Sequence, residues 1–109
     1  MNKWKVRLTL DAAKDFAGII QWTKQNFGAQ QALAYTVTLK DALTELHCGP
    51  DAFGVKRRED IGSGILTLHV ARNGRKGRHF VVFRVGGKQV IDVLRLLHDS
   101  MDLASHLSS

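Results

Sequence analysis

Residues 47–51, His47-Cys48-Gly49-Pro50-Asp51 (HCGPD), divide the chain into halves of different period. Glycine followed by proline denies a helix any continuation, because proline supplies no amide hydrogen and its ring clashes with the preceding turn. Upstream, Ala32, Tyr35, Leu39, Ala42, Leu43 and Leu46 recur at steps of three and four, the spacing of one apolar helix face. Phe16, Ile19, Ile20, Thr23 and Phe27 do the same one segment earlier, with Asp11 as the expected N-cap and Gly28 ending the helix at C′. Two helices joined by so short a turn make an antiparallel hairpin. In front of it, Trp4, Val6, Leu8 and Leu10 alternate with polar residues, which predicts a half-buried strand. Trp4 falls on the apolar side of that strand and Trp22 beside the apolar stripe of the first helix, so both read as core.

Downstream the period becomes extended. Val55–Ile61, Ile65–Ala71, His79–Val85 and Gln89–Leu97 are expected strands, separated by Gly62-Ser63-Gly64, Asn73-Gly74 and Gly86-Gly87. All three separators favour tight antiparallel hairpins. A short helix over His98–Leu107 then returns to the sheet through Met101, Leu103, Ala104 and Leu107. The expected fold is therefore α+β: an N-terminal strand, an antiparallel helical hairpin, a four-strand antiparallel meander and a short C-terminal helix, with the hairpin covering one sheet face. At 109 residues, the chain 1–109 is one domain with one core.

Composition narrows the partners. The longest wholly apolar stretches, such as Phe80–Phe83, are four residues, far short of the roughly 20 needed to cross a bilayer. The alternating start MNKWKVRLTLD lacks the continuous apolar run of an export signal. With one cysteine, Cys48, no internal disulfide is open to the chain, in keeping with a reducing cytoplasm. The net charge of +6 is uneven: residues 1–54 hold six Lys/Arg against five Asp/Glu, and residues 55–109 hold ten against five. Arg72, Arg75, Lys76 and Arg78 crowd around the Asn73-Gly74 turn, a patch that suits nucleic acid or an acidic protein surface when it is not simply a solvated hairpin tip.

No phosphate-binding loop, dinucleotide fingerprint, zinc-protease motif or nucleophile elbow occurs. His98, Asp102 and His106 would share one face of a continuous helix, a spacing that permits a metal, although polar residues on a solvated helix face explain it as well. No metal or cofactor is expected. Arg84 and Arg95 interrupt apolar strands, where a charge must be paired or face solvent. Pairing with Asp92, Asp99 or Asp102 would lock the terminal helix to the sheet; an open face would instead grip phosphate or an acidic partner.

The stretch Val93-Leu94-Arg95-Leu96-Leu97-His98-Asp99-Ser100-Met101-Asp102-Leu103 resembles the closing motif of ParE-type toxins in the RelE/ParE superfamily. Phe27-Gly28 with Gln31-Ala32, Tyr35 and Leu39 is similar to that family's helical hairpin, and Lys76-Gly77-Arg78-His79-Phe80 to Arg84 resembles the strand before the motif. Ser105 departs from the pattern, where arginine is expected. The resemblance implies the toxin of a type II toxin–antitoxin system, cytoplasmic and plasmid-stabilising, that blocks replication by inhibiting DNA gyrase without being an enzyme. It implies a ParD-like antitoxin partner, operator DNA reached only through that antitoxin, and no membrane. Candidate target or antitoxin contacts are Arg72, Arg75, Lys76, Arg78, Arg84, Arg95, His98, Met101 and Asp102. The alternative is a RelE-like ribosome-dependent mRNA endoribonuclease using His79, Arg84, Arg95 and His98. Against it, Phe80 stands where that branch places a key arginine, and Asp99 and Ser100 where it places further basic residues. A third reading is a non-toxic relative that only binds the antitoxin.

Overall fold

In the computed structural model, which describes residues 3–107, the elements run β1 (Lys5–Leu8), α1 (Leu10–Phe27), α2 (Ala29–Glu45), a 3-10 turn (Leu46–Cys48), β2 (Lys56–Arg57), β3 (Leu66–His69), β4 (His79–Gly87), β5 (Val90–His98) and α3 (Leu103–Leu107). The strands form one sheet in the order β1-β5-β4-β3-β2. β2 to β5 are the expected antiparallel meander, and β1 adds to its far edge parallel to β5, Val6 lying opposite Ile91.

Thr9, rather than Asp11, caps α1. Its hydroxyl accepts the Ala12 amide at 3.1 Å while donating to the carbonyl of Leu94 at 3.0 Å. One side chain thereby starts the helix and satisfies the strand beneath it. Because the helix starts at Leu10, the alternation ends early, leaving Leu10 72% and Leu8 38% exposed. Gly28 closes α1 and opens α2 at φ 96°, a left-handed angle that a side chain disfavours.

The expected strand over Val55–Ile61 contracts to two residues because an Arg58–Asp60 ion pair at 2.9 Å and an Ile61-to-Arg58 backbone bond turn the chain out of the sheet. The third hairpin also differs. Its turn is Lys88-Gln89, with Gln89 at φ 54°, and the ladder slips between Val85 and Gly87. Gly86 is a bulge residue; a Cβ there would strike the Asp92 carboxylate. A second bulge between Val82 and Phe83 makes Leu94 the extra residue of β5.

The helical hairpin covers one face, where Leu39, Ala42 and Leu46 meet Leu68, Val81, Phe83, Ile91 and Val93. The other face is covered in part: α3 brings Leu103 and Leu107 onto Ile65, Val82 and Leu97. β5 continues through His98 and a turn follows, so α3 has five residues instead of the ten expected. His98, Asp102 and His106 consequently do not share a helix face, and among the described residues no cluster of three His, Cys, Asp or Glu could hold a metal. No described helix is long and apolar enough to cross a membrane.

Candidate functional site

Two adjoining clefts open where the helical hairpin faces the sheet's His79–His98 end. The larger, about 970 Å³, has Trp22 and Phe27 of α1 and Ala34, Tyr35 and Val37 of α2 along one wall, and the loop Gly74–Arg78 along the other. The smaller, about 540 Å³, runs between α1 and the end of β5, past Asp15, Arg95, Met101 and His106. Trp22, His79 and His98 belong to both.

Hydrogen bonds and burial shape this seam. The Tyr35 hydroxyl accepts the Arg78 amide at 3.0 Å and makes a 2.6 Å hydrogen bond with Nδ1 of His79, whose direction is set by the imidazole tautomer. In the tautomer with Nδ1 as acceptor, the imidazole is neutral and carries its hydrogen on Nε2. Burial and the nearby His98 favour the neutral ring, depressing the His79 pKa to about 4. His98 packs edge-on to it with ring centroids 5.2 Å apart. Its Nδ1 accepts the Ser100 amide at 3.1 Å, which puts the hydrogen on Nε2. That same Nδ1 lies 3.7 Å from an Asp99 oxygen, but an accepting nitrogen makes no ion pair with a carboxylate.

Asp99 anchors the loop from below. It takes Nε and Nη2 of Arg78 at 3.0 Å each and Nε2 of His69 at 3.0 Å, and these donors hold its carboxyl down at about 2. His69 accepts the Ala71 amide at Nδ1, so its bond to Asp99 is that of a neutral donor.

The expected basic patch is thus largely neutralised. Arg72 is mostly buried, donating to the Phe53 carbonyl at 2.8 Å and standing 3.5 Å from Glu45, outside both clefts. Arg75 stands 3.6 Å from Asp41 and Arg78 is held by Asp99. Only Lys76 of the four has no ion-pair partner among the described residues.

Arg95 does pair, but with Asp15 of α1 instead of Asp92, Asp99 or Asp102. The fork is bidentate at 2.7 and 3.0 Å, the same carboxylate accepts the Leu96 amide, and Arg95 also reaches the His106 carbonyl at 3.4 Å. It ties α1, β5 and α3 together. Arg84 is exposed and has no ion-pair partner among the described residues; Asp92, opposite it in register, is taken by Arg7 at 2.8 Å. It lies outside both clefts, five residues along β4 from His79, or about 17 Å at the usual strand rise. Met101 lines the smaller cleft, and Asp102 accepts the Ser105 hydroxyl at 2.9 Å at the start of α3.

Trp4 packs against the core as expected, but Trp22 is 57% and Phe27 64% exposed, stacked edge to face at the cleft rim with centroids 5.7 Å apart. The first helix's apolar stripe does not include position 22, and a tryptophan off the stripe was the available signal that it serves the surface. Tyr35 was legible only as a helical core position; its contact with His79 spans 44 residues and no local pattern encodes it.

A five-stranded sheet carrying a helical hairpin on one face and a short helix on the other, with clefts at one end, is the RelE/ParE toxin architecture. The structure superposes on a chromosomal ParDE toxin–antitoxin system from P. aeruginosa with TM-score 0.71 at 20% identity, covering 90% of this chain and 98% of that one. It superposes on the RelBE2 toxin–antitoxin complex from Mycobacterium tuberculosis with TM-score 0.53, also at 20% identity, covering 88% and 98%. The sequence matches the family described as the ParE toxin of the type II toxin–antitoxin system parDE over residues 6–103. The chain belongs to that family. It is 29% identical over 101 residues to the Escherichia coli protein Toxin ParE, spanning 93% of this chain and 90% of that one.

Proposed function

We propose that this toxin acts by inhibiting DNA gyrase and is neutralised by a ParD-like antitoxin that covers the clefts. The observation that carries this is the state of the cations around the histidines. Cleaving a phosphodiester calls for a general acid and base beside arginines or lysines free to stabilise charge on phosphate. Here no arginine is free at the histidines, since Arg78 is committed to Asp99, Arg95 to Asp15 and Arg84 lies outside both clefts; of the cations on the lining only Lys14 and Lys76 have no ion-pair partner among the described residues. Apart from those two lysines, what remains is a largely apolar, aromatic-rimmed pair of clefts, a surface for binding protein.

The test is supercoiling by purified gyrase with and without this protein at matched salt, since a protein of charge +6 also binds DNA non-specifically. The expected result is inhibition with accumulation of cleaved DNA, reversed by the antitoxin. Unaffected gyrase would overturn the reading and direct attention to cleavage of ribosome-bound message by His79 and His98.

A further inference from the structure

The polar half of the first strand's alternation is wholly basic. Trp4 and Val6 pack on the hairpin-side core, so Lys5 and Arg7 take the opposite face of β1, with Lys3 exposed just before them. Asp92 lies on that same face, between Ile91 and Val93 of the hairpin-side core, and its carboxylate accepts Arg7 Nε at 2.8 Å. Arg84 stands directly across from Asp92 in the ladder, and directly opposed residues share a face. Arg7, Asp92 and Arg84 thus form one row across the adjacent strands β1, β5 and β4, and Lys88 adds an exposed cation at the turn. α3 packs farther along the sheet, on Ile65, Val82 and Leu97, and leaves Lys5, Arg7, Arg84 and Lys88 exposed. None of these four lines either cleft. Asp92 is the only acidic residue on β1, β4, β5 or the turn between the last two. Lysines that blunt an edge strand against aggregation account for β1, but not for Arg84, which sits on a strand with neighbours on both sides.

We propose that this face docks the phosphate backbone of duplex DNA. Its cations are spread over three strands rather than gathered at one point, and the one carboxylate among them is already bonded to Arg7. Such an array matches a polyanion with a charge at every step better than it matches a single acidic side chain. Duplex fits better than single strand. Single-stranded nucleic acid is held largely by stacking its bases on aromatic side chains, and this face offers none: Trp4 and Phe83 lie in the hairpin-side core and Phe80 packs with the α3 cluster. A duplex turns its phosphates outward and asks only for cations on a surface it can approach, which the side-chain-free Gly86 and Gly87 leave low. With contacts to phosphate alone, binding is independent of sequence. The surface lies apart from the clefts and the proposal goes beyond the reading above, so a negative supercoiling result leaves it standing.

The test is fluorescence anisotropy of the intact protein with labelled duplexes of about 20 base pairs and unrelated sequence, titrated across salt concentrations. The expected result is similar affinity for every sequence and a slope of about −3 to −4 in log K against log salt, the counterion release of contacts from Lys5, Arg7, Arg84 and Lys88. Arg84→Ala and Lys5→Ala each weaken binding about tenfold at about 50 mM salt and flatten the slope by about 0.9, the share of one phosphate contact. Lys76→Ala and Lys14→Ala remove the same charge from the clefts and leave both quantities as in the wild type. All four positions are exposed, so folding is not at stake. Four results would each overturn the proposal: no binding at about 50 mM salt; equal losses for the sheet and the cleft variants, which would reduce the effect to net charge; tighter binding of single-stranded RNA of the same length; or displacement of the duplex by polyglutamate at equal charge, which would make the partner an acidic protein.

Discussion

The Tyr35 hydroxyl is hydrogen-bonded both to the Arg78 amide and to Nδ1 of His79. Tyr35→Phe leaves that amide and that nitrogen without their partner in a half-buried place, and the expected cost is about 1–2 kcal/mol in a urea melt. His79 gives a pH dependence whose sign follows from its depressed pKa. The unfolded chain takes up a proton near the ordinary histidine value of about 6.5, whereas the folded chain waits until about 4. Stability is therefore complete above the first value and is lost as pH falls through this window. Discounted for the solvent that still reaches the ring, the loss is about 1–2 kcal/mol between pH 7 and pH 4. Urea melts across that range should show it in the wild type and show less of it in His79→Gln; an equal slope in both would remove His79 as the cause. Asp15→Ala strands Arg95 and the Leu96 amide together and should cost about 2–3 kcal/mol, measured the same way.

At the level of elements, the loop between β3 and β4 is positioned by α2. Tyr35 holds Arg78, Asp41 faces Arg75 and Glu45 faces Arg72, three attachments along one helix. Gly77 is the close approach that makes this possible: a Cβ there would lie 2.5 Å from Val70 Cγ2 and 3.1 Å from the Tyr35 hydroxyl. Gly77→Ala should destabilise by about 1–3 kcal/mol and widen the cleft, visible as a red shift of Trp22 emission. The helical hairpin and the meander could be read from the sequence because each is written in local period and in the residues that end it. The strand β2, the Lys88-Gln89 turn and the shortened α3 could not, since each is decided by a particular contact that hydrophobic period does not encode: Asp60 against Arg58, Asp92 against Gly86, and His79 across from His98. The site was half visible. His79, His98, Arg75, Lys76 and Arg78 were candidates that do converge, Arg84 was one that does not, and the neutralising carboxylates Asp15 and Asp41 carried no signal of their role.

For the whole molecule, two separate apolar cores flank one sheet, and its edge strand β1 binds a partner from the far end of the chain. Pairing of that kind makes folding depend on non-local contacts, so the expected folding time is milliseconds to seconds rather than microseconds. Stopped-flow fluorescence of Trp22→Phe isolates Trp4, which packs beside β1 and reports its docking. A microsecond phase carrying the full Trp4 change would contradict this. The same ladder has a consequence for the newborn chain. Arg7 meets Asp92 85 residues later, and at ribosomal speeds of about 5–20 residues per second the first strand waits several seconds for its mate. Through that interval the helical hairpin has no sheet to lie on and the histidine seam does not exist, so the age at which a copy first presents its clefts is set by the speed of translation.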